Sequence, residues 1–309
     1  ITKLEKTSPS DFTLCTAELL STDCAGCADI MEVTMKVSKI ADTCVTYIIL
    51  IVVCFIFFFP CLWLILASFS KSGSIYSFEG FFPSSYSLDT FRTLFTDTAM
   101  YNYPRWFRNT LFIAVMSCLV GTFLTILTAY TMSRFQFGAR KTMMKTTLIL
   151  GMFPSFMGMI AVYIIMTQFG LINNMWGLIL IYSANAPMGY LTQKGFFDTI
   201  PSSIDEAARI DGATNFQVFT RINLPISMPI IVYTALTSFT FPWSDFILPK
   251  LLLKEKDLYT VAVGLMSLGD TEFARFAAGA VFIAVPIVIL YFCLVKFMVN
   301  GMTAGAVKG

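Results

Sequence analysis

The chain has 309 residues, of which 56% are hydrophobic, 15% aromatic and only 13% charged, with a formal net charge of +2 and a mean hydropathy of +0.73. A soluble domain carries about 25% charged residues, so this composition excludes an ordinary soluble globule and points to the bilayer as solvent. The near-neutral balance excludes nucleic acid as a partner, and the absence of histidine removes the commonest general base and metal ligand.

Residues 1–44 read as an N-terminal cytoplasmic tail, polar and flecked with Cys15, Cys24, Cys27 and Cys44. A lone Cys24-x-x-Cys27 lacks the further ligands that a metal or redox site needs. Met31 or Met35 reads as a start that would leave a short basic leader, so residues before Met31 are expected to be dispensable.

Residues 45–309 read as an all-α transmembrane domain. Six runs have the apolar length that crosses a hydrocarbon core: Val45–Phe69, Thr110–Met132, Thr146–Thr167, Trp176–Leu191, Pro229–Leu248 and Ala277–Val299. Pro154, Pro187, Pro242 and Pro286 fall inside spans, where neighbouring helices can satisfy the freed carbonyls. An even number of spans puts both termini on one side. Arg134, Arg140, Lys141 and Lys145 crowd one short loop, and Lys194, Arg209 and Arg221 lie in the 192–228 loop. By the positive-inside rule these loops and the termini are cytoplasmic.

The 192–228 loop carries the densest local signals. Ser203-x-x-Glu206 predicts a capping box opening a short helix, Gly212 predicts its end, and Thr214-x-x-Gln217 predicts a second box. Pro225 is expected to close the second helix before the fifth span. Ile204, Ala208 and Asp211 share one face, and Phe216, Phe219 and Ile222 form an apolar stripe. On these grounds alone the element is a helix–Gly–helix unit on the membrane surface, its stripe tucked among headgroups. In the fifth span Thr234, Thr237, Ser238, Phe241, Ser244 and Asp245 fall on one polar stripe. Two readings stand for it: packing between helices through Ser and Thr, or a wall of a translocation path, with hydroxyls for sugar hydroxyls and Phe241 for stacking.

Glu206-Ala207-Ala208, Gly212 and Ile222-x-Leu224-Pro225 resemble, in residue and spacing, the EAA signature of binding-protein-dependent ABC importer permeases. Phe59-Pro60-Cys61-Leu62-Trp63, Trp243-Ser244-Asp245-Phe246 and Gly301–Gly309 are similar to the carbohydrate branch, of the MalG type. The resemblance implies the type I importer permease fold, and it replaces the headgroup reading with a docking one. Glu206 would make the charged contact to an ATPase subunit, with Ala207, Ala208 and Asp211 on the same element. Gly212 would allow the turn, and Ile222, Leu224 and Pro225 would lead into the fifth span. Tyr259, Thr260 and Gly264, in a segment similar to that subunit's outer loop, would touch the binding protein. The implied partners are a second, MalF-like permease subunit, two ATP-binding subunits and an extracellular solute-binding protein, in the bacterial cytoplasmic membrane. In the related maltose system the partner permease supplies the substrate site, which favours the packing reading of the polar stripe.

No G-x-x-x-x-G-K-[ST] loop is present, so no cofactor is expected here and ATP would be bound by the partner. The chain is therefore expected to be a non-catalytic subunit, and the resemblance implies maltodextrins or other α-glucosides as its cargo, with glycerol phosphate as the alternative. An ion-coupled carrier is the competing class. It would bury ionisable residues mid-span, and the span centres lack them.

Overall fold

The computed structural model describes residues 24–71, 82–83, 85–98, 101–184, 187–269 and 272–306. Residues 1–23, the Cys24 and Cys27 side chains, and the side chains from 298 onward lie outside that description. The chain divides into two units, Ile1–Leu62 and Trp63–Gly309.

The first unit is dominated by helix α1 (Cys24–Ser68), which continues into the start of the second. The predicted tail is thus helical from Cys24, because no proline lies between Cys24 and Pro60 and its Met, Glu, Lys and Ala residues favour helix. The part from Asp42 to Ser68 is long and apolar enough to cross a membrane. Its large side chains from Val45 to Phe59 are exposed, as lipid-facing side chains are.

In the second unit, α2 (Asp89–Thr96) precedes the 32-residue α3 (Tyr103–Arg134). Asn102 caps α3 by accepting from the Arg105 amide, and Pro104 sits in its first turn, where a missing N–H costs nothing. Helix α3 is central: α6 (Met175–Ala184), α7 (Pro187–Thr199) and α10 (Met228–Ser244) all pack on it. Ile113, Ala114 and Ala129 along its length are fully buried. Helix α13 (Phe273–Ala306) packs on α10 in turn.

Three predicted spans are not single straight helices. The third is α4 (Arg140–Gly151) and α5 (Ser155–Gln168), bent by 108°. Pro154 caps α5 in an extended conformation, so it ends one helix and starts another. The predicted fourth run is split between α6 and α7, and Pro187 opens α7. The fifth ends at Ser244, because Asp245 turns extended and its Oδ1 accepts from the Ile247 and Leu248 amides to start α11 (Ile247–Leu252). By length and composition alone, three helices cross a membrane singly, and up to five spans form if each bent pair counts as one. The described residues hold no strand beyond an isolated bridge, Ser70 to Tyr86; the fold is all-α.

The Asn173 side of this unit is fastened by polar contacts. Asn173, at φ 59°, takes the left-handed conformation that asparagine tolerates. Its Oδ1 accepts from the Lys254 and Glu255 amides at 3.0 and 3.1 Å, and its Nδ2 donates to Glu255 at 2.7 Å. The same loop, through the 3-10 turn Lys256–Leu258 and α12 (Val261–Met266), closes over the start of α3.

A docking helix and a polar cleft

Helix α8 (Ser202–Ile210) starts two residues earlier than predicted. Pro201 is its N-cap, so Ser203 already has helical geometry and the Ser203–Glu206 box does not form. Its end follows the prediction. Gly212 stands at φ 85°, its amide donates to Arg209 O at 3.0 Å, and the Ala213 amide donates to Ala208 O at 2.9 Å. This is a Schellman closure, which needs a left-handed residue. A Cβ on Gly212 would meet nothing within 4 Å. Gly212→Ala should therefore cost only the backbone term, about 1–2 kcal/mol, read as a lower unfolding temperature, with Gly212→Asn costing less.

The Thr214 box is present in both directions: Thr214 N donates to Gln217 Oε1 at 2.8 Å, and Gln217 N donates to Thr214 Oγ1 at 3.3 Å. The helix it opens, α9 (Asn215–Ile226), does not stop at Pro225. A π turn at Phe219–Asn223 widens it, and the Leu224 amide bonds Phe219 O. Pro225 is carried inside the following turn, and the chain bends by 77° at Ser227 into α10.

Glu206, Ala207, Asp211 and Gly212 are exposed and Ala208 is half-buried. Ile210 and Phe216 add two apolar side chains that are 86% and 73% exposed, neither of them assigned to a docking surface from sequence. The predicted stripe divides. Phe216 faces out, whereas Phe219 lies on the Tyr130 ring, centroids 4.5 Å apart. Ile222 and Leu224 are half-buried, and Pro225 is exposed.

Asp198 ties α7 to α3. It accepts from Lys194 Nζ and from the Ser133 hydroxyl. Burial opposes its charge, but Lys194, Ser133 and Arg140 outweigh that and hold its pKa below the ordinary carboxylate value.

Thr234, Thr237, Ser238 and Phe241 line one cleft of about 250 Å³ beside α3 and α7. Ser244 stays outside it, its hydroxyl donating to Phe241 O at 3.1 Å, because α10 ends there. Tyr233, Thr237, Phe241 and Ser244 are exposed, while Val232, Phe239 and Trp243 on the other side are buried. The open face of this membrane helix is therefore its polar one. Gln193, absent from the sequence-based set, is 2% exposed and donates to the Thr234 hydroxyl; its Oε1 meets no hydrogen-bond donor among the described residues. A second cleft of about 440 Å³, mostly apolar, lies on the far side of Tyr182 and Phe241, whose rings meet edge-on at 5.4 Å. The Tyr182 hydroxyl donates to Asp245 at 2.9 Å, so Asp245 is a structural acceptor that also caps α11.

The outer-loop prediction needs correction. Tyr259, Thr260 and Gly264 are buried and serve the subunit itself. Asn109 Nδ2 donates to Tyr259 O at 3.2 Å, Thr110 Oγ1 accepts from the Val261 amide at 2.8 Å, and Thr260 caps α12. Gly264 lies so close to Trp106 that a Cβ would fall 2.0 Å from its ring. The longest exposed run of this loop is Lys254 to Asp257.

Long apolar helices beside a cleft lined by hydroxyls, with the exposed α8–α9 element joining two of them, suit a membrane transport subunit. The family model described as "Binding-protein-dependent transport system inner membrane component" matches residues 121–303. The maltodextrin transport system permease protein MalD of Streptococcus pneumoniae is 37% identical over 90% of this chain and 100% of its own. The galactooligosaccharides transport system permease protein GanQ of Bacillus subtilis is 34% identical with the same coverage. A solved bacterial ABC transporter that imports the acidic polysaccharide alginate matches at a TM-score of 0.70, with 19% identity, over 84% of this chain and 97% of the other. The fold is accordingly the type I importer permease fold. The chain belongs to the family of inner-membrane permease components of binding-protein-dependent transport systems.

Proposed function

We propose that this chain is one of two membrane subunits of an ATP-driven sugar importer in the bacterial inner membrane, with both termini and α8 in the cytoplasm. It is a non-catalytic subunit. One of two ATP-binding subunits docks on α8 through Glu206, Ala207, Ala208, Asp211 and Gly212, joined by Ile210 and Phe216. Ile222, Leu224 and Pro225 carry the docking element into α10. A second permease subunit completes the path, and an external solute-binding protein delivers the cargo against the exposed Lys254–Asp257 segment. The cargo class is an oligosaccharide such as a maltodextrin or another α-glucoside, in keeping with relatives named for maltodextrin and galactooligosaccharides.

The observation that carries this reading is the exposed polar face of α10. The Thr237 and Ser244 hydroxyls donate to carbonyls of α10 itself, but against lipid their remaining acceptor capacity would find no donor, so a path or a partner subunit covers this face. Thr234, Thr237, Ser238 and Phe241 then form a wall of the path, with Ser244 beyond its outer end. None of the residues lining the cleft is charged, which suits a neutral, hydroxyl-rich solute better than a phosphorylated one.

Proteoliposomes holding the whole complex should take up maltodextrin with ATP and binding protein present, and stop when the ATPase subunits are omitted. Uptake that follows an ion gradient without ATP would defeat the reading. Within active complexes, Gln193→Ala should lower uptake at limiting substrate by about threefold to tenfold, the worth of one neutral hydrogen bond. ATPase subunits should still co-purify with that variant.

A further inference from the structure

Helix α8 buries a single residue, Asp205, beside the exposed Glu206. Every other side chain of Ser202–Ile210 is exposed or half-exposed. Asp205 Oδ2 lies 3.1 Å from Arg134 Nε at the last turn of α3. Its Oδ1 accepts from Asn223 Nδ2 at 2.8 Å, in the π turn of α9. Asn223 Oδ1 in turn accepts from Arg134 Nη2 at 3.2 Å, and that nitrogen also donates to Ile200 O at 3.0 Å. The three side chains thus close a ring among three segments. Asp205 is 3% exposed and Asn223 is 0% exposed.

We propose that Arg134, Asp205 and Asn223 are positioning residues that form the joint transmitting displacement of α8 to α3 and α10. The inference rests on the importer reading above. A buried ring of hydrogen bonds closed by an ion pair, here Arg134 Nε to Asp205 without an aligned hydrogen bond, weakens when its members slide, because each would be left unpaired in a low dielectric. A push on the Glu206 surface therefore moves Arg134 and Asn223 with Asp205. Both helices leaving the joint reach the polar cleft: α3 supplies Ser117 and Thr125, and α10 supplies Thr234 to Phe241. The π turn has a role in this. It inserts an extra residue that sets the phase of Asn223, and an α-helix at the same place would rotate that side chain by about 100°.

The test uses the complete complex in proteoliposomes, measuring ATP hydrolysis, uptake per ATP and co-purification of the ATPase subunits. Asp205→Asn removes the charge and leaves Glu206 and its surface intact. It should retain ATPase co-purification and hydrolysis while uptake per ATP falls at least tenfold. Adding Asn223→Asp to that variant returns a carboxylate to the ring beside Arg134, and should recover most of the lost ratio. Deleting Thr220, which closes the π turn, should uncouple the complex in the same way. An unchanged ratio in Asp205→Asn overturns the proposal, and so does loss of ATPase co-purification that the double variant fails to restore. Failure of the importer reading would show separately, as ATP-independent uptake by the unaltered complex.

Discussion

Glu206→Lys is expected to abolish ATP-driven uptake while the subunit still inserts and folds. Glu206 is exposed on α8, the proposed docking helix, and among the described residues no side-chain bond of Glu206 would be lost. Substitutions at such exposed sites stay within about 0.5 kcal/mol for the fold. At the interface the effect is larger, because reversing a charge opposite a complementary group costs about 2–5 kcal/mol. Co-purification of the ATPase subunits should drop by more than tenfold, with an unaltered unfolding temperature for the isolated subunit. Normal assembly and uptake in this variant would remove Glu206 from the docking surface.

The second large effect is expected at Gly264→Ala. Its Cβ would sit 2.0 Å from Trp106 Cε3 and 2.3 Å from Cδ2. Trp106 cannot swing aside cheaply, since its Nε1 donates to Lys256 O at 2.9 Å and the side chain is 2% exposed. Forcing a methyl into a packed core costs about 1–3 kcal/mol, and here α12 must lift from α3. The unfolding temperature of the complex should fall by several degrees and outer-loop proteolysis should speed up. A double-mutant cycle with Trp106→Ala should show strong coupling, since the smaller side chain frees the space. Additive effects of the two changes would mean the contact is not the source of the cost.

The sequence carried the features that depend on neighbours in the chain. Apolar run length located the membrane helices, Thr214 and Gln217 announced their box, and Gly212 announced its left-handed turn. Errors arose where one local signal met another. Ser203 had the spacing of a cap, but Pro201 started the helix earlier and left Ser203 inside it. Pro154 was read as tolerated within a span, whereas it caps a new helix after a 108° bend. Pro225 was read as a stop, but the π turn lets the helix pass it. Arg134 meets Ile200 and Asn223 across 66 and 89 residues of chain, and no periodicity reports such a meeting. The outer loop misled for a related reason. Resemblance identified its residues, but only packing against Trp106, Asn109 and Thr110 reveals that Tyr259, Thr260 and Gly264 face inward.

The side-chain hydrogen bonds that α3 makes to other elements gather at its two ends. Tyr103, Trp106, Asn109 and Thr110 bind Gly279, Lys256, Tyr259 and Val261 at the N-terminal end. Ser133 and Arg134 bind Asp198, Ile200 and Asn223 at the C-terminal one. Along the roughly 30 Å between them, the contact of Cys118 Sγ with Ala235 O is the one such bond among those described. The middle of the rod is held by dispersion forces, which depend little on register, while its rims are held by directional bonds that do. Such a helix resists being pulled out at either rim yet offers little friction to neighbours shearing past its midsection, which is where the cleft lies.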